Sequence, residues 1–408
     1  MMMNKFFKLG LAGLVAAGLS ASPATAQEAL KIGALMPLTG SLQAFGETAL
    51  NGIRLAVEEI NAAGGVLGQP IALAVADDQG SPQAGVDAAQ RLISVERSHA
   101  IIGAMSSGIT IPVARSVTAP AQVPQISNAS TSPVLTTLED NDFLFRTLAS
   151  DAFQGVAMAQ VAQEKGFSTV GIIYINNDYG QGLAESFQEA FEAAGGKVTS
   201  SAPYAEKQAS FRGELQRASQ GRPDALILIA YPGDGIPILR QALEGGFFQR
   251  FVFSDGMRAP EVVQAIGGDI LEGMGGTAPE APEGSASAQT FAEAYNARFG
   301  EMPTRPYIDT AYDATYVLAL AAQKAGSVNG VAIRDALRDV ANAPGVEIGP
   351  GQWAQALEAL NQGQDVNYTG ASGSVEFDEA GDVTGTFAHW EIQNGEIVTI
   401  KIFEPDAQ

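Results

Sequence analysis

Two Ser/Thr-rich stretches, each directly after a short apolar run, hold the side chains best suited to receive a small polar ligand. The first reads Ile101-Ile102-Gly103-Ala104-Met105-Ser106-Ser107-Gly108, the second Pro124-Gln125-Ile126-Ser127-Asn128-Ala129-Ser130-Thr131. Open α/β sheets bind small ligands at the carboxyl ends of their strands, and hydroxyls beside free backbone N–H groups suit a carboxylate. Ser107 and the N–H groups after Gly103 are so placed; Ser106 is either a second such hydroxyl or a turn residue. The Ala129 carbonyl accepts from an ammonium, and the Thr131 hydroxyl serves either group. Asp255, directly after Phe251-Val252-Phe253-Ser254, offers an acid to an ammonium; a helix N-cap ahead of Pro260 is the rival reading. A charge buried without a partner costs several kcal/mol, so a site for a zwitterion needs donors and acceptors side by side. Phe45, Tyr179 and Tyr231 fall at strand-to-helix loops and are candidates for the pocket wall, with ordinary core packing as the alternative.

Signs of catalysis are sparse. The chain has two histidines, His99 and His389, and no cysteine. Neither histidine has a second His or Cys nearby, so a zinc site is not expected. No nucleophile elbow, phosphate-binding loop or dinucleotide fingerprint follows a strand. Gly180-Gln181-Gly182 reads as the opening of a helix. Asp378 and Asp382 flank Glu379-Ala380-Gly381, a spacing foreign to an EF-hand loop and expected for a solvated hairpin. No metal and no cofactor is expected, and the pattern favours holding a molecule over converting it.

The elements that must carry these loops alternate regularly. Strands are expected at Leu30–Leu35, Ile71–Ala76, Ala100–Ile102 and Val123–Ser127, with helices between them, among them Pro82–Ser94 with proline in its first turn. A second series starts near residue 150: a helix from Asp151 to Lys165, a strand at Thr169–Ile175, a helix over Tyr179–Ala194 and strands at Ala225–Ala230 and Arg250–Phe253. Such βαβα series give parallel sheets covered on both faces. Helices then dominate, at Ser285–Phe299, Ile308–Ala325 and Val331–Val340. Gly363–Gly373 is turn-rich and reads as a crossover. The tail returns to strands at Ser374–Phe377, Thr386–Ile392 and Glu396–Ile402, the last two joined by an Asn394-Gly395 turn.

Length and composition bound the rest. The first 26 residues read as an export signal: Lys5 and Lys8, an apolar run too short to span a bilayer, and Ala24-Thr25-Ala26 before the cut. The formal charge of −22, borne against those two lysines, argues against nucleic acid and anionic lipid as partners. Without cysteine, lipid attachment through an N-terminal Cys is not expected and no disulfide supports the fold, which is left to hydrophobic cores. About 380 exported residues exceed what one core usually supports, so two lobes are expected.

The quoted segments, taken in order, resemble the periplasmic leucine/isoleucine/valine-binding proteins, the solute receptors of branched-chain amino acid importers. The resemblance spans Met36-Pro37-Leu38-Thr39-Gly40, the run from Asn51-Gly52 to Gly64-Gly65-Val66, Ala76-Asp77-Asp78, Thr131-Ser132-Pro133, Phe145-Arg146-Thr147, Asn177-Asp178-Tyr179-Gly180-Gln181-Gly182 and Phe377 to Asp382. It implies an α/β fold of two doubly wound parallel-sheet lobes joined by a three-stranded hinge, lobe 1 being residues 28–146 with 278–366 and lobe 2 residues 147–277 with 367–408. It implies a monomeric periplasmic receptor, not inserted in the membrane, that hands a small amino acid to an inner-membrane permease. Ser107, Ala129 and Thr131 would hold the ligand from lobe 1 and Asp255 would complete the ammonium site from lobe 2. Phe45, Tyr179 and Tyr231 would surround it, Phe45 standing where better-known members carry Trp. Three rivals follow. Relatives also take amides, urea or aromatic carboxylates; a receptor can report to a sensor instead of a permease; and an enzyme would require Asp255 and Asp178 to pair.

Overall fold

The computed structural model describes residues 28–405; the expected export signal lies outside them. The first strand–helix series builds a parallel sheet from β1 (Lys31–Met36), β2 (Ala72–Asp77), β3 (Ala100–Gly103), β4 (Gln125–Ser127) and β5 (Leu144–Arg146), in the order β2-β1-β3-β4-β5. The second series supplies β6 (Thr169–Ile175), β7 (Lys197–Tyr204), β8 (Ala225–Ile229), β9 (Phe251–Phe253) and β10 (Gly275–Glu280). A small sheet holds β11 (Val346–Ile348), β12 (Val366–Gly370) and β13 (Gly373–Ser374). The tail gives β14 (Thr386–Gln393) and β15 (Glu396–Phe403), which complete the second sheet in the order β15-β14-β10-β9-β8-β6-β7. β14 runs antiparallel to both neighbours, while β6 to β10 pair in parallel.

Side-chain pattern explains these placements. β8 is Ala-Leu-Ile-Leu-Ile with every residue buried, as a strand covered on both faces requires. Asn394 and Gly395 both take positive φ, 53° and 79°, the primed turn that matches hairpin twist. The helix Ile308–Ala325 is buried on nearly every side, because it lies among the helices Gln43–Ala62 and Gly330–Ala341, the first sheet and β12.

Several elements escape sequence reading. β5 and β10 are short or carry Gly and Pro, and β7 is an edge strand with a largely exposed face. The stretch read as a turn-rich crossover contains β12, whose end is held by a buried carboxylate: Asp313 accepts from the Tyr368 hydroxyl and the N–H groups of Ala371 and Ser372, each at 2.8 Å. The strand expected at Ser374–Phe377 stops after Ser374. Asn342 takes both backbone groups of Phe377 with its side-chain amide, at 2.8 Å each, leaving none for a ladder.

The chain passes between the large sheets three times: after β5, after β10, and between β13 and β14. Among the described residues no helix is long and apolar enough to cross a membrane.

Candidate functional site

The loops after β3 and β4 meet the loops after β6, β8 and β9 face to face. Between them lies a small cavity lined by Leu42, Phe45, Met105, Ser107, Ala129, Tyr179, Tyr231, Asp255, Gly256 and Tyr307. No basic side chain is among them. Six of the eight residues singled out from sequence line this space, and the other two stand directly behind it: Ser106 shares a 3.3 Å hydrogen bond with the Tyr231 hydroxyl, and Thr131 donates to Asp151.

On the first-sheet side, β3 ends in a loop that starts the helix Ser107–Val113. The first amides of such a helix have no intrahelical acceptor. The Ser107 hydroxyl oxygen accepts from the Ser132 N–H at 3.2 Å, which leaves its own proton to donate. Three further hydroxyls brace the pair of loops: Ser127 donates to the Ala104 carbonyl at 2.7 Å, and Thr110 shares a 2.8 Å bond with Ser130. Arg146, at the end of β5 and 1% exposed, donates through Nη1 to the carbonyls of Thr131 and Ser132, 3.0 Å each. Its other nitrogens grip the Asp382 carboxylate at 2.6 and 2.5 Å. Asp382 is therefore a counter-ion and not part of a solvated hairpin, whereas exposed Asp378 makes the turn, accepting from the N–H groups of Ala380 and Asp382.

On the second-sheet side, Asp255 opens a short 3-10 turn after β9. Its Oδ1 accepts from the Tyr179 hydroxyl at 2.7 Å and from Gln154 Nε2 at 2.9 Å, and its Oδ2 from the Tyr307 hydroxyl. The N-cap reading fails, since Ala259 occupies the cap of the helix Pro260–Ile266. Tyr179 and Tyr231 stack at 5.5 Å with 9° between planes, forming one wall. Phe45 forms the opposite wall with Tyr307, ring centres 6.3 Å apart, and the Arg305 guanidinium covers its outer face. Phe45 lies on the first turn of the helix Gln43–Ala62, not in the preceding loop, because the chain turns earlier, at Gly40.

The electrostatics are those of a buried acidic site. Burial pushes the Asp255 carboxyl above its ordinary value, opposed by its hydrogen bonds to Tyr307, Tyr179 and Gln154. Asp151 is pushed well up, first by burial and then by the charge of Asp255. Asp178, the acid suspected of pairing with Asp255, is exposed instead. Among the described residues no group of three or more His, Cys, Asp or Glu side chains is placed to hold a metal ion. His99 accepts from the Lys31 N–H at the start of β1, and His389 is buried in β14, both away from the cavity.

The model of the periplasmic binding protein family matches residues 29–365. The chain belongs to that family. This periplasmic binding protein is 28% identical over 363 residues to the chemotactic signal transduction system substrate-binding protein BasB of Halobacterium salinarum, covering 87% of this chain and 85% of that one. It is 28% identical to the leucine-, isoleucine-, valine-, threonine- and alanine-binding protein of Pseudomonas aeruginosa, over 78% and 84% of the two chains. Its fold is the type I periplasmic binding fold, as in the leucine-binding protein LivK of Thermotoga maritima: TM-score 0.78, 28% identity, 92% of this chain and 99% of that one.

Three buried polar residues bonded to Asp255 or Thr131 were not found from sequence. Tyr307 precedes a helix in a Pro-Tyr segment remote from any strand end. Asp151 and Gln154 lie on one face of the helix Asp151–Glu164, which sequence reading treats as packing alone. The available signal was an acid and an amide three positions apart, just ahead of the apolar run from Gly155 to Ala159.

Proposed function

We propose that this protein captures a free amino acid, leucine, isoleucine or valine, between two lobes and delivers it from the periplasm to an inner-membrane permease, without chemical conversion. The observation that carries this reading is a buried Asp255 in the wall of a small aromatic and aliphatic cavity that has no basic side chain. An amino acid supplies the missing cation. Its carboxylate falls to the Ser107 hydroxyl and the amides after it, its ammonium to Asp255, Thr131 and the Ala129 carbonyl, and its side chain to Phe45, Tyr179 and Tyr231. Relatives named for these ligands support the choice.

The lobes in this reading are built on the two large sheets, and the third crossing lies beyond Ser374 rather than at residues 366–367, since β12 packs against helices of the first sheet's side. A site divided between lobes binds strongly only when both engage, so ligand shifts the population toward the shut form. A sensory role is the second reading, favoured by the name of the Halobacterium relative; it shares the same ligand contacts and differs only in the docking partner.

The test is calorimetry on ligand-stripped protein with leucine, isoleucine, valine, acetamide, urea and benzoate. Tight binding of the branched-chain amino acids alone is expected. Binding of benzoate or an amide in their place overturns the assignment of Asp255.

A further inference from the structure

One helical turn holds both halves of the ammonium site. Asp151 and Gln154 are three residues apart in the first turn of the helix Asp151–Glu164, both fully buried. Asp151 clasps Thr131 twice: its N–H donates to the Thr131 carbonyl at 2.7 Å, and its Oδ2 accepts the Thr131 hydroxyl at 2.8 Å. Gln154 holds the opposite side, donating to Asp255 Oδ1 at 2.9 Å, with Thr277 as a more distant acceptor at 3.4 Å. Thr131 belongs to the loops of the first sheet and Asp255 to those of the second. The turn is thus a bridge between the two groups that would face a ligand's nitrogen.

Acceptors are in surplus here. Asp151 Oδ1 and Gln154 Oε1 are buried with no donor. Buried polar atoms are nearly always paired, and an exception needs a reason. Two carboxyls share the spot, and the nearest cation, Arg146, turns its nitrogens to Asp382, Thr136 and the carbonyls of Thr131 and Ser132. A positive group with several N–H donors is what the set lacks. A carboxylic acid without an amine would bring none.

We propose that Asp151, acting through Thr131, and Gln154, acting through Asp255, are positioning residues that make the site demand an amine on its ligand, and so discriminate amino acids from amine-free carboxylic acids of the same shape. This rests on the amino-acid reading above. Neither residue lines the cavity; each sets the charge and hydrogen-bonding polarity of one that does or that stands at its edge.

The experiment compares leucine with 4-methylpentanoate, which is leucine without its amine, by calorimetry on the wild-type protein, Asp151→Asn and Gln154→Met. Asp151→Asn keeps an acceptor for Thr131 and removes the charge, so the fold should survive. Wild type is expected to prefer leucine strongly, and Asp151→Asn to shrink that preference at least tenfold, chiefly by losing leucine affinity. Gln154→Met is expected to shrink it in the same direction. A merely structural role would weaken both ligands equally; an unchanged preference in both variants overturns the inference and leaves the amino-acid reading intact. Wild-type protein that binds none of leucine, isoleucine and valine overturns both.

Discussion

The Tyr307 hydroxyl donates to Oδ2 of Asp255 across the boundary between the two sheets. Tyr307 leads into a helix of the first sheet's side and Asp255 follows a strand of the second, so one bond both ties the faces together and stabilises a buried anion. A hydrogen bond to a charged group contributes about 1.5–3 kcal/mol. Removing it in Tyr307→Phe raises the proton affinity of Asp255 by about one to two pH units. Burial already raises the Asp255 carboxyl above its ordinary value, and a protonated acid no longer attracts an ammonium. Leucine affinity in Tyr307→Phe should therefore fall at a higher pH than in wild type as pH is lowered, and match it at pH 9. Calorimetry from pH 5 to 9 reads this; coincident profiles would dismiss the role given to Tyr307.

Asp78, fully buried after β2, bonds the Gly80 N–H at 2.8 Å through Oδ1 and leaves Oδ2 without a partner. Burial pushes its carboxyl up to about 6. The folded state thus holds a proton that the unfolded chain releases near pH 4. Stability from this group is complete below that value, declines as pH rises toward 6, and stays low above it. Asp78→Asn should be more stable than wild type at pH 8, by about 2–3 kcal/mol, and should lose the advantage at pH 4. Urea unfolding at the two values measures the difference, and an advantage independent of pH would contradict the assignment.

Two glycines lie where the facing loops touch. A Cβ at Gly182 would stand 2.7 Å from Pro133 Cδ, and one at Gly233 would stand 2.8 Å from Ser41 Cβ. Gly182 is inside the helix Asp178–Ala193, where alanine favours the helix by about 1 kcal/mol. Overpacking the contact costs about 1–3 kcal/mol. Gly182→Ala should therefore raise the unfolding midpoint of the ligand-free protein while lowering leucine affinity about tenfold or more. Gly233→Ala should share the affinity loss. Small-angle scattering should show less compaction on adding leucine; full compaction with unchanged affinity would mean the rims have slack.

Legibility from sequence followed periodicity. Strands such as Thr169–Ile175 and helices such as Pro82–Ser94 and Ile308–Ala325 carry their pattern locally, and the structure shows them at the expected bounds. The loops at strand ends were readable because position after a strand is itself a signal. Tyr307 and Gln154 were not, since what brings them to Asp255 is contact between segments 52 and 101 residues apart. Asp382 was misread for the same reason: a short Asp-rich turn looks solvated until an arginine 236 residues away is placed against it.

That pairing also bears on how the protein is made. Every residue lining the cavity has been synthesised by Tyr307, and Arg146 holds the carbonyls of Thr131 and Ser132 in the loop that follows Ala129. The counter-ion of Arg146 arrives only with Asp382, followed by the two strands that finish the second sheet. A chain emerging amino end first thus owns its complete set of cavity residues long before the arginine beneath them is neutralised. The support beneath the cavity is thus tied to a segment that follows every cavity residue in sequence.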